Sequence, residues 1–212
     1  MKKISLSLII IATLLAVCLS ACAIPDPNAP SGFYELTKLY DTSRRPTDFH
    51  LFVPKDWNAE LGGYVVTATA PMGISVMAWE QPFDQVSLNA VIAERDSGRS
   101  VSLIYWEDYY LGRLTELFGA ALSVVTTETI TMTDKNRPAV RVIYHIDSET
   151  LTSEAQRFEV YIVCKNPAEP RSVHIIQLSV PLDNHSTKLQ ADFNKIAENF
   201  AFVGEVQSSS NQ

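Results

Sequence analysis

The sequence lacks the short motifs that usually signal catalysis, metal binding or nucleotide binding. It contains no Cys-x-x-Cys, His-x-His or His-Glu-x-x-His metal motif and no Gly-x-Ser-x-Gly nucleophile elbow. Glycine-rich phosphate loops are also missing, so the pair Gly62-Gly63 predicts a turn. These absences favour a protein that is not an enzyme, and we name no catalytic residue, cofactor or metal.

Histidines, which are common metal ligands, are few and widely spaced. They are His50, His145, His174 and His185. His174 alternates with apolar residues, which predicts a hydrogen-bonded core histidine rather than a metal ligand. His145 falls on the polar side of its segment, and we predict that it is solvated. Spacing alone does not decide whether two of them meet in space.

Basic residues are in short supply as well. The chain has 17 Lys and Arg against 24 Asp and Glu, a net charge of −7. An acidic surface repels phosphate backbones and anionic lipid headgroups. The charge therefore argues against nucleic acid as a partner and against a basic membrane-binding patch. At 46% hydrophobic and 19% charged residues, the composition is that of an ordinary globular protein.

The N-terminal segment differs from the rest of the chain. Lys2 and Lys3 precede an apolar run from Ile4 to Leu19, and small residues lead to Cys22. A basic start, a short apolar region and small residues before a cleavage point are typical of a secretory signal peptide. A transmembrane anchor is the alternative, because the run approaches the ~18 residues that can span a bilayer. The cysteine at the expected cleavage point favours the signal peptide.

The end of this segment, Leu19-Ser20-Ala21-Cys22, resembles the lipobox of bacterial lipoproteins. The resemblance implies cleavage before Cys22 and diacylglycerol on its thiol. It places the protein in the cell membrane or outer membrane, facing outside the cytoplasm, with two acyl chains sufficient for anchoring. Ala23 is not the aspartate that retains lipoproteins in the inner membrane of Gram-negative bacteria, which matters only for a Gram-negative source.

One cysteine remains after this processing. Cys18 leaves with the signal peptide and lipid occupies Cys22, so Cys164 has no intramolecular disulfide partner. Stability must therefore come from the core. Cys164 shares the apolar side of its segment with Val160 and Ile162, which predicts an inert buried thiol rather than a nucleophile.

The remaining chain has the length of a single domain. We divide it into a signal peptide at 1–21, a proline-rich tether at 22–32, one globular domain at 33–204 and a polar tail at 205–212. The tether contains three prolines and no apolar period, which is typical of an extended spacer. Removal of the signal peptide with its two lysines takes the net charge to −9.

Most of the domain shows the alternation typical of β-strands. The predicted strands are Asp48–Val53, Tyr64–Ala70, Ile74–Trp79, Leu122–Thr133, Ala139–Asp147, Ala155–Lys165 and Ser172–Val180. Pro71-Met72-Gly73 predicts a hairpin between the second and third strands. Short turns, including one at 134–138, join the last four strands, so we predict an antiparallel meander.

Three segments have helical periodicity. They are Ser87–Ser97 with Ser87 as N-cap, Ile104–Phe118 ended by Gly119, and a last helix from Asp183–Ser186 to about Phe200. The apolar arc of the second helix comprises Ile104, Trp106, Tyr110, Leu111, Leu114, Leu117 and Phe118.

Two tyrosines fall outside this arc. Tyr105 and Tyr109 share the polar side of the helix with Arg113, and we take these three residues as a candidate binding face because aromatic residues are enriched at interface cores. In the alternative interpretation, Trp106 and Tyr110 belong to the core while the other two tyrosines border it.

The order of the elements predicts an α+β fold, an α/β/α sandwich with a mainly antiparallel sheet flanked by helices. Together with Phe52-Val53-Pro54 and Trp57, this order resembles the Mog1/PsbP-like fold. The resemblance covers about 33–204 and implies a binding or assembly factor more often than an enzyme. It carries no site residue over to this chain.

Two polar clusters have ordinary interpretations. Asp41, Arg44, Arg45 and Asp48 form a mixed-charge group that predicts a solvated loop. Asn184-His185-Ser186 matches a glycosylation acceptor, yet a helix start explains it better.

The sequence therefore predicts a lipid-anchored, non-enzymatic binding or assembly module outside the cytoplasm. A carrier of a small ligand or lipid is the alternative, with an apolar pocket between helices and sheet as its structural sign. An envelope hydrolase ranks last.

Overall fold

A seven-stranded antiparallel sheet organises the chain. The computed structural model describes residues 29–41, 47–60, 65–132, 137–147 and 154–204. Its strands are β1 (Phe33–Glu35), β2 (Phe49–His50), β3 (Phe52–Pro54), β4 (Asn58–Glu60), β5 (Val66–Ala70), β6 (Ile74–Pro82), β7 (Leu122–Met132), β8 (Arg137–Ile146), β9 (Gln156–Val163), β10 (Ser172–Pro181) and β11 (Ala201–Phe202).

Helices flank the sheet on both sides. They are α1 (Thr37–Asp41), α2 (Gln85–Asp96), α3 (Val101–Tyr105), α4 (Leu111–Phe118) and α5 (Thr187–Glu198). A single π-helical turn, Trp106–Tyr110, joins α3 to α4, and short 3₁₀ turns lie at Gly119–Ala121 and Leu182–Asn184.

The strand order of the large sheet is β4-β5-β6-β10-β9-β8-β7, with every neighbouring pair antiparallel. The strands β7, β8, β9 and β10 follow one another along the chain and are neighbours in the sheet, which confirms the predicted meander. Two small ribbons, β1 with β3 and β2 with β11, complete the pairing among the described residues.

Apolar side chains cover each face of the sheet. On one face, α2 to α4 pack Val91, Ile104 and Trp106 against alternate residues of β8 to β10. On the other face, α5 packs Phe193 and Ile196 against β5, β6 and β10. Because both faces are buried by helices, the architecture is the predicted α/β/α sandwich.

The predicted strand Asp48–Val53 is in fact two strands with different partners. Phe49 and His50 pair with β11, whereas Phe52 to Pro54 pair with β1, and Leu51 lies between them. Both Phe52 and Val53 are buried, so simple alternation fails here. Each short strand belongs to its own ribbon, which a local pattern does not reveal.

The hairpin at Pro71-Met72-Gly73 is confirmed. Met72 and Gly73 have φ values of 66° and 73°, the backbone that a tight hairpin turn demands. The predicted turn at 134–138 is too long, because β8 begins at Arg137 and includes Pro138. Residues 133–136 lie outside the described residues, as do Gly62 and Gly63.

The helix boundaries also need correction. Asp84, not Ser87, caps α2, since its carboxylate accepts a hydrogen bond from the Ser87 amide at 2.7 Å. The second helical segment begins at Val101 behind the N-cap Ser100, three residues earlier than predicted. Ser186 caps α5, as the helix-start interpretation of its segment requires.

Two residues that precede Phe33 contact the packed body. Ala29 packs against the core, and the Gly32 carbonyl accepts a hydrogen bond from the Lys55 amide at 2.9 Å. The proposed signal peptide, Cys22 and residues 205–212 lie outside the described residues. Within the described part of the chain, every helix is too short or too polar to cross a bilayer.

Candidate functional site

The helical face predicted to bind a partner lies at the π-helical turn. In this turn the Leu111 amide bonds to the Trp106 carbonyl, so one extra residue enters the helix. The extra residue rotates the two halves of the helix relative to each other. Leu117, placed by regular periodicity on the apolar arc, is consequently 62% exposed.

Tyr105 and Tyr109 border the core. Their rings stack at a centroid distance of 6.0 Å, and both pack against the apolar cluster beneath the helices. The Tyr109 hydroxyl donates to the Ser87 carbonyl at 3.4 Å, and burial raises the pKa of Tyr105 to about 12. Arg113 is exposed. The two tyrosines are therefore half-buried, with Arg113 beside them at the surface.

Aromatic rings fill the space between this helix and the sheet, where a carrier would need its pocket. Trp106 lies 6.5 Å from Tyr144, and Tyr144 lies 4.9 Å from Phe158, measured between ring centroids. Tyr110 donates to Gln177 at 2.8 Å across the same interface. A surface depression of about 600 Å³ occurs elsewhere, beside Met72 and Asn184. The observed packing gives the carrier interpretation no support at its predicted place.

A polar cluster of Asp48, Lys165 and His174 joins β10 to the segment before β2. His174 is 1% exposed, and its Nε2 donates to Asp48 Oδ1 at 2.8 Å. The Lys165 ammonium lies 3.0 Å from the other Asp48 oxygen. His174 is thus the hydrogen-bonded core histidine predicted from sequence. Asp48, by contrast, is a half-buried ion-pair partner rather than part of a solvated loop.

Asp48, Glu80 and His174 have the residue types of a metal site, with one ligand atom from each within 4.8 Å of the others. The donor set nevertheless fits a metal poorly. The bond to Asp48 requires a hydrogen on His174 Nε2, and the Lys165 ammonium adds positive charge. His174 Nδ1 has no hydrogen-bond partner among the described residues, whereas the second nitrogen of a ligating histidine usually has one. The cluster fits an ion-paired structural anchor.

Asp48 makes stability depend on pH. Burial alone would raise its pKa, but His174 and Lys165 lower it to about 2, from 3.8 in an unfolded chain. Its ionised form therefore stabilises the fold above pH 3.8, and that contribution is lost as the pH falls towards 2. Because the side chain is 40% exposed, solvent screening reduces the contribution to about 1 kcal/mol.

We expect Asp48→Asn to lower the free energy of unfolding by about 1 kcal/mol at pH 7. The difference in the free energy of unfolding between the variant and the wild type, measured by urea titration, should disappear between about pH 4 and pH 2. Asp96→Asn is the matched control, since Asp96 pairs with Arg95 at the surface. A gap that stays constant down to about pH 2 would exclude this role for Asp48.

The most unusual charged group in the described residues is Glu159, which is 0% exposed. Its Oε1 accepts hydrogen bonds from Arg141 Nε at 2.7 Å and from the Tyr161 hydroxyl at 2.6 Å. Its Oε2 accepts from Gln190 of α5 at 3.0 Å. Burial alone would raise the pKa of Glu159, but these three donors lower it below its ordinary value.

Glu159 lies at the centre of a polar sheet face on β7 to β9, beside α5. We define the polar sheet face as Glu128, Arg141, His145, Arg157, Glu159 and Tyr161. Arg141 links the carboxylates of Glu159 and Glu128, since its Nη1 donates to Glu128 at 2.5 Å. The hydrogen bonds to Glu159 and Glu128 raise the pKa of Arg141 although burial opposes this. The guanidinium is thereby fixed in place on the sheet.

Arg157 is held less completely than Arg141. Its side chain is 14% exposed, and its Nη2 lies 3.6 Å from Glu159, too far for a hydrogen bond. Its buried Nε has no acceptor among the described residues, and the neighbouring His145 Nε2 has no partner there either. Burial lowers the pKa of His145 most, and the positive charge of Arg157 lowers it further. His145, predicted to be solvated, is half-buried with its Nε2 covered, because β9 places Arg157 directly opposite it.

The polar sheet face is suited to recognition rather than proton transfer. Glu159 is ionised and already accepts three hydrogen bonds, so it is a poor general acid or base. Cys164, on the opposite face, is buried, and burial raises the pKa of its thiol to about 11. The thiol is therefore inert, as the sequence predicts.

Sequence reasoning missed the polar sheet face. The sequence predicts the apolar side of β9, with Val160 and Ile162, and leaves the burial of the other side open. The available signal was the alternation of Arg157, Glu159 and Tyr161 on that other side. Their burial depends on α5, which returns from the end of the chain to cover the strand.

No protein-family model and no curated protein sequence matches this chain. Solved structures do match. Cyanobacterial PsbP (CyanoP) of Synechocystis superposes with a TM-score of 0.51 at 9% identity, covering 87% of this chain and 99% of CyanoP. This likeness shows the fold, which is the Mog1/PsbP-like fold predicted from the sequence.

Two further structures match at lower scores. The Ran-binding protein Mog1p of Saccharomyces cerevisiae has a TM-score of 0.46 at 9% identity, and the match covers 74% of this chain and 90% of the Mog1p chain. LpqN of Mycobacterium tuberculosis, described as involved in cell envelope biogenesis, has a TM-score of 0.48 at 14% identity. It covers 72% of this chain and 82% of its own.

Proposed function

We propose that this protein is a lipid-anchored, non-enzymatic binding or assembly module that faces outside the cytoplasm. Residues 1–21 act as the signal peptide, Cys22 carries diacylglycerol, and a short proline-rich tether leads to the domain at 33–204. The polar residues 205–212 form its tail. The lipobox-like sequence Leu19-Ser20-Ala21-Cys22 supports the anchoring part of this proposal.

The polar sheet face is the observation that carries the binding part. A buried, ionised Glu159 fixes Arg141 by a 2.7 Å hydrogen bond, whereas Arg157 reaches Glu159 only at 3.6 Å and its buried Nε has no acceptor among the described residues. Arg157 is therefore the less completely held of the two cations, and 14% of its side chain is exposed. A carboxylate or backbone carbonyl of a protein partner would bind this exposed part of Arg157, and Arg is enriched at protein interfaces.

The binding role is tested by recovering a partner after crosslinking in intact cells. We expect a specific protein to copurify with the wild type, and we expect no turnover of substrates by the purified protein in a broad hydrolase screen. Recovery of no specific partner, together with turnover of a substrate, would contradict the proposal.

Arg157→Met separates recognition from stability. Arg157 contributes only an ion pair at 3.6 Å, and Glu159 keeps its three hydrogen-bond donors in the variant, so we expect the free energy of unfolding to change by less than about 1 kcal/mol. Recovery of the partner should fall at least tenfold, which corresponds to about 1.4 kcal/mol. Arg171→Gln is the control, since Arg171 is exposed at the far end of β10. Equal partner recovery from both variants would remove Arg157 from the interface.

A further inference from the structure

No described strand pairs with the outer edge of β7. β7 is the last strand of the large sheet, it is 11 residues long, and β8 is its only partner among the described residues. Natural proteins usually protect such an edge with charged residues, proline or a covering segment, because its free N–H and C=O groups accept another strand. β7 contains no proline and no lysine.

The sequence of β7 favours strand pairing strongly. It consists almost entirely of Val, Thr, Ile, Leu, Met and Ser, and its single ionisable residue is Glu128. Glu128 is neutralised within the chain by Arg141 at 2.5 Å. On an otherwise acidic protein, this edge is therefore a strip without net charge.

A bulge limits the part of the edge that is regular. Val124 lies opposite Tyr144 and Thr126 lies opposite Ile143, so Val125 is the extra residue. From Thr126 to Met132 the ladder with β8 is uninterrupted. Any added strand would find a straight edge of seven residues there.

We propose that two copies of this chain pair antiparallel through Thr126–Met132, about a two-fold axis at Thr129. The sequence of the strip favours a second copy as the occupant, because the self-paired register brings no like charges opposite each other. Two mature chains of −9 repel each other over most of their surface, whereas the β7 strip presents no unpaired charge. Antiparallel pairing of identical strands also satisfies two-fold symmetry by itself. This inference uses Glu128 and Arg141 of the polar sheet face only as a neutral pair and does not depend on partner binding at Arg157.

The proposed register juxtaposes compatible side chains. On the side of the sheet that carries Val140 and Val142, Thr129 faces its own copy and Thr127 faces Thr131, a ladder of threonines that can hydrogen-bond across the strands. On the other side, Glu128 faces Ile130 of the second copy rather than another carboxylate. Each Glu128 keeps its Arg141. Like charges therefore do not meet directly across the new pair.

The oligomeric state of the mature chain tests the pairing. The protein is expressed without residues 1–21 and with Cys22→Ser, so that no lipid drives association, and its mass is measured by sedimentation equilibrium. We expect a reversible dimer that tightens as sodium chloride is raised, because salt screens the repulsion between acidic chains. Thr129→Lys should weaken dimerisation about tenfold or more, since it places like charges opposite each other.

Cysteine variants test the register. In the same background, Thr129→Cys should form an intermolecular disulfide on mild oxidation, because directly opposed residues have Cβ atoms about 4.5–5.5 Å apart. Thr127→Cys should not crosslink to itself, since it faces Thr131 of the other copy. Both positions are exposed, and circular dichroism checks that both variants fold. A monomer at every salt concentration, or crosslinking of both variants to the same extent, would overturn the proposal.

Discussion

The Cys22→Ser variant is expected to lose its lipid completely. A serine at this position offers no thiol to receive diacylglycerol, so the variant should remain a precursor that is neither acylated nor cleaved as a lipoprotein. Intact-mass spectrometry and labelling with a fatty-acid analogue measure both changes. The effect is all or none, because Cys22 is the only thiol placed at the lipobox-like sequence.

Cys164→Ser is the matched control for the loss of a thiol. Cys164 is buried under the helices, so its replacement should leave acylation unchanged and reduce only stability, by ~1–3 kcal/mol if the new hydroxyl is unpaired. A Cys22→Ser protein that is still cleaved and acylated like the wild type would end the lipoprotein proposal.

Arg141→Met should be the most destabilising of these substitutions. It leaves the carboxylate of Glu159 at 0% exposure with Tyr161 and Gln190 as its remaining donors. Removing one partner of a buried ion pair typically costs about 3–5 kcal/mol. Denaturant titration followed by circular dichroism should show a loss in this range at neutral pH.

The pH dependence of this variant identifies the cause. In the wild type the folded pKa of Glu159 is lowered from 4.5, so its contribution is present above that value and is lost on acidification. Without Arg141, the contact that lowers the folded pKa of Glu159 most is lost, so that pKa rises relative to the wild type. The deficit of Arg141→Met relative to the wild type should therefore shrink as the pH falls.

A double variant tests whether Arg141 and Glu159 act together. Arg141→Met/Glu159→Gln removes the buried charge, and we expect it to be about 1–2 kcal/mol more stable than Arg141→Met alone. If the effects of the two substitutions on the free energy of unfolding simply add, the stability of the buried Glu159 does not depend on Arg141, and the description of the polar sheet face is wrong.

Much of the fold could be predicted because it depends on local patterns. The four strands from Leu122 to Pro181 are each eight or more residues long, and the turns between them favour an antiparallel order. The amphipathic stripe of α5, with Leu189, Phe193 and Ile196, is equally local. The CyanoP match agrees with the fold that these patterns predicted.

The features that local patterns missed depend on contacts between distant segments. Asp48 is tied to His174, 126 positions away, and Gln190 of α5 reaches Glu159, 31 positions away. The π-helical turn at Trp106 adds a residue to a helix, which defeats a prediction based on a fixed rotation of about 100° per residue. Such contacts decide which polar residues are buried, and thus where the candidate site lies.

Site-specific photo-crosslinking tests the central claim, that the protein binds a partner across the polar sheet face. A benzophenone amino acid is placed at Asp147, which is exposed beside His145, or at Ala93 on α2 behind the opposite face of the sheet. We predict a specific heterologous adduct from position 147 that disappears with Arg157→Met, and none from position 93. An adduct from position 93 alone, or one from position 147 that is unaffected by Arg157→Met, would contradict the account.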